Sequence, residues 1–307
     1  MLHLRVITPP ELTESVLDLY RHRRGIANVV AHRGAAIDPQ GDVVTADVAR
    51  DAADGLIGGL RALGIDQDGA ITMEVLDTVL STAAYRAEDE IHGDGEDAVI
   101  WDELVLRTRG ESGLSFSYLA FLTIACLLAS IGVLTDSPIT VVGAMVVGPE
   151  FGPLAALAVA LVRRKGYLAK RAVLALLIGF PVAMAITALA TKAFQALGWV
   201  KLHSIHELQQ MDFIFQVGPF SFVVALLAGA AGMLSTVTSK SAALVGVFIS
   251  VTTVPAAGMT VVAAITRDWD VALGSAGQLA VNMVGITAAG VLVLAGYNRT
   301  RRGVVHS

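Results

Sequence analysis

Two hydrophobic patterns divide this chain. Up to about residue 113, apolar residues come in short alternating runs between polar turns. From Leu114 to Tyr297 they come in long unbroken stretches with only brief polar interruptions. Alternation of period two predicts a strand at Leu2–Thr8, and further strands are expected at Ile26–Ile37, Val43–Ala49 and Ala70–Leu76, with Asp38–Asp42 as a turn. Helical spacing predicts a helix over Glu11–Arg24, with Leu12, Val16, Leu19 and Tyr20 on one face and Gly25 as its stop. A second helix runs from an Asp51 cap to about Leu63 and ends at Gly64. The order βαββαβ is that of an α+β, ferredoxin-like split βαβ domain over residues 1–84. Such a domain serves regulation or oligomerisation as readily as catalysis.

Residues 85–113 read as an acidic linker, because Glu88, Asp89, Glu90, Asp94, Glu96, Asp97, Asp102 and Glu103 crowd together there. Val99–Arg107 within it has the spacing of a short amphipathic helix. The long apolar stretches predict six spans, at 115–134, 139–162, 169–194, 219–238, 241–265 and 275–297, each near the roughly 20 residues that cross a bilayer. The expected fold class is therefore multi-domain: the ferredoxin-like domain, then an all-α polytopic membrane domain over 114–298, then a basic tail at 299–307. Arg107, Arg109, Arg163, Arg164, Lys165, Lys170, Arg171, Lys240, Arg299, Arg301 and Arg302 fall on one side of these spans. The positive-inside rule makes that side the cytoplasm, with both termini on it and the protein in the plasma membrane. The first 20 residues hold no apolar signal-peptide core.

Composition sharpens this picture. The 307 residues are 54% hydrophobic and 16% charged, with a mean hydropathy of +0.66, which fits an integral membrane protein. Up to Arg109, acids outnumber bases about two to one, so this half is not expected to bind nucleic acid. The single cysteine, Cys126, excludes an intrachain disulfide and a cysteine metal cluster.

The second span carries the candidate chemistry. Pro149 and Pro153 interrupt its helix, Gly148 and Gly152 flank the interruption, and Glu150 lies inside it near the expected bilayer midplane. An ionisable residue at membrane depth is a functional candidate by default, able to carry a proton or meet a cation. Asp136 and Ser137 stand at the hairpin before this span. Ser137–Gly143 aligns with Ser239–Gly246 after one insertion, and Pro149 and Pro153 align more weakly with Thr252–Gly258. Three spans in each half make this a 3+3 inverted repeat, and paired broken helices point to a transporter's central site. Thr252, Thr253 and Asn282 are polar positions opposite the break.

Ala129–Pro138, Val142–Pro149 with Gly152 and Pro153, and Asn282–Gly285 resemble the motifs of the membrane family called domain of unknown function 389. The resemblance implies the membrane architecture and the small preceding domain, and no substrate. The family's usual serine before the first proline is Gly148 here, and Glu150 replaces an apolar residue.

The expected solute- or ion-binding set is Glu150, Pro149, Gly148, Gly152, Ser137, Asp136, Thr252, Thr253 and Asn282. No metal, cofactor or enzymatic constellation is expected: His203, His206 and Glu207 lack a further ligand at fixed spacing. The expected function is a secondary transporter or channel for a small solute or ion. The alternative is a membrane-anchored sensor or scaffold. Expected partners are that solute or ion, membrane lipids and further copies of the chain.

Overall fold

The computed structural model describes residues 1–76, 78–91, 99–199, 219–238 and 252–304, in two compact units, Met1–Glu103 and Leu104–Ser307. The first unit holds β1 (Leu2–Thr8), α1 (Thr13–Arg21), β2 (Ile26–Ile37), β3 (Gln40–Val48), α2 (Arg50–Ala62), the single turn α3 (Ile65–Asp68), β4 (Ala70–Val75) and α4 (Thr82–Asp89). Its four strands form one antiparallel sheet in the order β2-β3-β1-β4. Alternation puts Leu2, Leu4 and Val6 opposite Val48, Ala46 and Val44 on one face. There they are buried with Val16 and Tyr20 of α1 and Ala53, Leu56, Ile57 and Leu60 of α2.

Several local expectations are corrected. The first helix begins at Thr13, after a 3-10 turn over Pro10–Leu12, and ends at Arg21 rather than Arg24. Asp51 does not cap α2; the cap position is Ala49, whose side chain has no acceptor, and Asp51 lies in the first turn. Gly64 does end that helix, at φ +79°, where a side chain would be strained. Within the acidic stretch, α4 packs Ala84 and Ala87 against Ala27, and Ser81 caps it by accepting from the Ala84 N–H at 3.3 Å. The first unit accordingly runs to Glu103 rather than Ala84. Ile100 joins its core, Arg50 pairs with Glu103 at 3.2 Å and Arg61 with Asp102 at 2.7 Å.

β2 is an edge strand whose pairing with β3 shifts register between Ala27 and Val30 and again between His32 and Ala36. Beneath it, Asp42 of β3 is buried and accepts from the Gly34 N–H at 2.7 Å, the Thr13 hydroxyl at 2.8 Å and Arg33 at 3.0 Å. Arg33 also pairs with Glu14. The Gly34 N–H first, then the Thr13 hydroxyl and the Arg33 guanidinium, hold the Asp42 carboxyl below the ordinary range. A lowered folded pKa gives stability that is present above the unfolded value of about 3.9 and is lost as pH falls through the folded one. Asp42→Asn is therefore expected to speed amide exchange in β2 and β3 at neutral pH and to flatten its acid dependence. Exchange measured across an acid titration of both proteins checks this.

The second unit is helical. After α5 (Trp101–Glu111) come α6 (Phe116–Leu134), α7 (Pro138–Val147), α8 (Phe151–Arg163), α9 (Gly166–Ala196), α10 (Pro219–Val237), α11 (Thr253–Thr266) and α12 (Trp269–Val304). Among the described residues four helices, α6, α9, α10 and α12, are long and apolar enough to cross a membrane. α7 and α8, bent by 49° at their break, make up to a fifth span. At about 15 and 20 Å, neither half alone covers a hydrocarbon core of about 30 Å. Of the expected span 241–265, residues up to 251 lie outside the described ones, and the remainder is α11, too short to cross unaided. α6 packs on α7, α9 and α11, α8 on α9 and α12, and α10 on α12.

Candidate functional site

The break at Gly148-Pro149-Glu150 follows from its prolines. Pro149 has no N–H to give the Met145 carbonyl, and Pro153 none to give the Pro149 carbonyl. α7 ends, Gly148 turns extended at φ −62°, ψ 128°, and α8 restarts at Phe151. Glu150 at this point is 5% exposed. Its Oε1 accepts the Thr253 hydroxyl, donated from the first turn of α11. Its Oε2 is buried with no hydrogen-bond partner among the described residues. That oxygen occupies the space that a Cβ on residue 148 would need, and Val254 lies 2.8 Å from the same point. Gly148 thus leaves room for the acid to fold back. Gly152 serves packing instead: a Cβ there would lie 2.9 Å from Glu111 Cβ and 3.0 Å from the Glu111 carbonyl oxygen.

Next to Thr253, Thr252 Oγ1 accepts from Asn282 Nδ2 at 2.8 Å, and Asn282 Oδ1 accepts from Gln278 Nε2 at 3.1 Å. A polar chain therefore runs from α12 through the start of α11 to the α7–α8 break, inside an otherwise apolar bundle. Asn282, Gln278 and Ser275 are 3%, 1% and 0% exposed, and Gln278 Oε1 and Ser275 Oγ have no partner among the described residues. The positive end of α11 faces the Glu150 carboxylate, a favourable arrangement. No Lys or Arg pairs with Glu150 among the described residues.

The expected residues divide into two groups. Glu150, Gly148, Pro149, Thr253, Thr252 and Asn282 come together at the break. Asp136 and Ser137 do not: they form the α6–α7 hairpin, one ten-residue helix, about 15 Å, from the break. Asp136 takes φ +47°, and Ser137 caps α7 by accepting from the Thr140 N–H at 3.4 Å. Gln278 and Ser275 are not singled out by the sequence reading. Their signal was available, since 275, 278 and 282 fall on one helical face. His203, His206, Glu207 and Lys240 lie outside the described residues.

A constant spacing relates the two halves. Glu150 and Thr253 are 103 positions apart. The same shift carries Phe116–Leu134 onto Pro219–Val237, and the start of α9 at Gly166 onto the start of α12 at Trp269. It also carries Arg164, left-handed at φ 54°, onto Arg267 at φ 63°. Beside these arginines, the Lys165 N–H reaches the Ala160 carbonyl at 2.9 Å, and the Asp268 N–H reaches Ala263 at 2.9 Å. Each is the six-to-one bond of a Schellman stop.

Comparison with known proteins adds a family. Residues 145–288 match the family described as Domain of unknown function (DUF389). This is the family that the motifs resemble. The DUF389 match takes in the break, Thr252, Thr253, Gln278 and Asn282, and begins after the Ala129–Pro138 motif. No curated protein and no solved structure matches the chain.

Proposed function

We propose that this chain is a secondary transporter or channel for a small solute or ion, with its site where the α7–α8 break meets the start of α11. The observation that carries the reading is the Glu150–Thr253 hydrogen bond between residues that correspond under the 103-residue shift. When equivalent positions of two repeats touch, the axis relating the repeats passes between them. Transporter sites occur at such repeat interfaces, formed by discontinuous helices. Three segments per half support an inverted 3+3 repeat.

The cation distribution supports a plasma-membrane protein with both termini in the cytoplasm. The strand order β2-β3-β1-β4, with helices after β1 and β3, supports a ferredoxin-like first unit acting as a regulatory or oligomerising module of a non-enzymatic homo-oligomer. Its own buried core also favours a second reading, a sensor whose spans are an anchor.

A thermal-stability screen of ions, nucleotides and metabolites on the detergent-purified chain separates the two. The transport reading expects a solute that stabilises the wild type and not Glu150→Gln, followed by flux of that solute in proteoliposomes that the substitution abolishes. Stabilisation that survives Glu150→Gln would move the function to the first unit.

A further inference from the structure

We propose that Glu150 binds a coupled monovalent cation, a proton or a sodium ion, and excludes divalent ions. This rests on the transport reading and names the species that drives it.

The argument is a charge count joined to an oxygen count. A carboxylate carries one negative charge; the N-termini of α11 and of α8, whose cap position is Glu150, each bring about half a positive one, and the α7 C-terminus at Gly148 about half a negative one. With no cationic side chain paired to it among the described residues, the deficit is less than one unit. One monovalent cation covers it. A divalent ion would overshoot, and among the described residues no group of three His, Cys, Asp or Glu is placed to hold a metal ion.

The second observation is the free oxygen. Glu150 Oε2 is buried and has no hydrogen-bond partner among the described residues. The prolines add acceptors next to it in the chain, since the Met145 and Pro149 carbonyls have lost their intrahelical donors. Freed carbonyls of broken helices are a recurrent means of holding sodium or a proton in transporters.

The groups around Glu150 are few. On α6, Tyr118 and Cys126 lie within reach of its charge. At the end of α5, Glu111 backs onto Gly152 and pairs with Arg107 at 3.9 Å. α11 brings Thr252 and Thr253, and α12 brings Asn282 and Gln278 behind them, all neutral.

The test is the melting temperature of the full chain in detergent, from alkaline to mildly acid pH, in sodium chloride against equal choline chloride. The wild type is expected to gain roughly 5–10 °C at saturating cation. A gain on acidification without sodium identifies the proton. A gain from sodium at alkaline pH that disappears in acid identifies sodium competing with it. Asp42 acts with the opposite sign, losing stability in acid, so it cannot produce the gain. Glu150→Gln is expected to be flat to both cations.

A wild type flat to both, a Glu150→Gln variant that responds like the wild type, or a larger gain from magnesium or calcium would each overturn the proposal. Should Glu150→Gln not fold, Thr253→Val decides. It keeps the carboxylate and removes its donor, so the cation midpoint must move, and an unmoved midpoint overturns the proposal. If cations have no effect while a solute still distinguishes wild type from Glu150→Gln, the cation proposal fails and the transport reading stands.

Discussion

Gly258→Leu is expected to lower the melting temperature of the membrane unit by roughly 6–12 °C. A Cβ at this position of α11 would lie 2.7 Å from Ala129 Cβ and 3.0 Å from the Ser130 nitrogen, both on α6. A leucine adds further atoms to a contact already closed, and the nearest obstacles include backbone. Small residues at such contacts let membrane helices approach where no hydrophobic drive separates protein from lipid. Overpacking costs about 1–3 kcal/mol and more against backbone. Taking the upper end, about 3 kcal/mol, because backbone is among the obstacles, the range above follows at about 2–4 °C per kcal/mol for a unit of this size. The damage reaches the site, because Thr253 is on the same helix, five residues before Gly258, and a displaced α11 withdraws its hydroxyl from Glu150. Gly143→Leu is the control: on α7 its Cβ would meet nothing within 4 Å, and its melting temperature should stay near the wild-type value. Equal losses in the two variants would refute the packing account.

Asn282→Leu is the second large effect. Asn282 is the middle link of the polar chain, so removing it strips the Gln278 amide and the Thr252 hydroxyl of a partner at once. A buried group left unpaired costs about 1–3 kcal/mol in soluble proteins. Interhelical hydrogen bonds in membranes average nearer 0.6 kcal/mol, because the unfolded chain in lipid also finds partners. The smaller figure for the bond and the larger for the orphaned groups bracket a loss of roughly 1–4 kcal/mol. The double variant Asn282→Leu, Gln278→Leu should recover part of it, since replacing both partners by apolar groups is nearly neutral. Chemical or thermal unfolding in bicelles reads all three proteins. A double variant less stable than the single one would show that the amides do not act as a pair.

Local patterns carried most of what the chain revealed about itself. The bounds of β1 are legible because alternation is a property of neighbouring residues. The break at Pro149 is legible because a missing N–H acts within one turn. Asp51 misleads because an acid near a helix start has two favourable places, the cap and the first turn, and it takes the second. α4 is hidden for a different reason: its buried face is only Ala84 and Ala87, and the acids around it dominate the pattern. Within the site, the acid stands out because it adjoins Pro149, and the two threonines because they are polar positions in an apolar stretch that the repeat sets opposite the break. Gln278 lies on the same helical face as Ser275 and Asn282, and its partner is Asn282 one turn further along α12.

The two register shifts in β2 bear on how this protein behaves when many copies are crowded together. A straight edge with Val29 and Val30 exposed would be an invitation to strand-by-strand stacking between chains. The irregularities at Ala27/Val30 and His32/Ala36 break the spacing that such stacking needs, and His32 and Arg33 make the same stretch polar. The edge is therefore guarded by its own geometry. Assembly through the first unit would have to use a surface other than this edge.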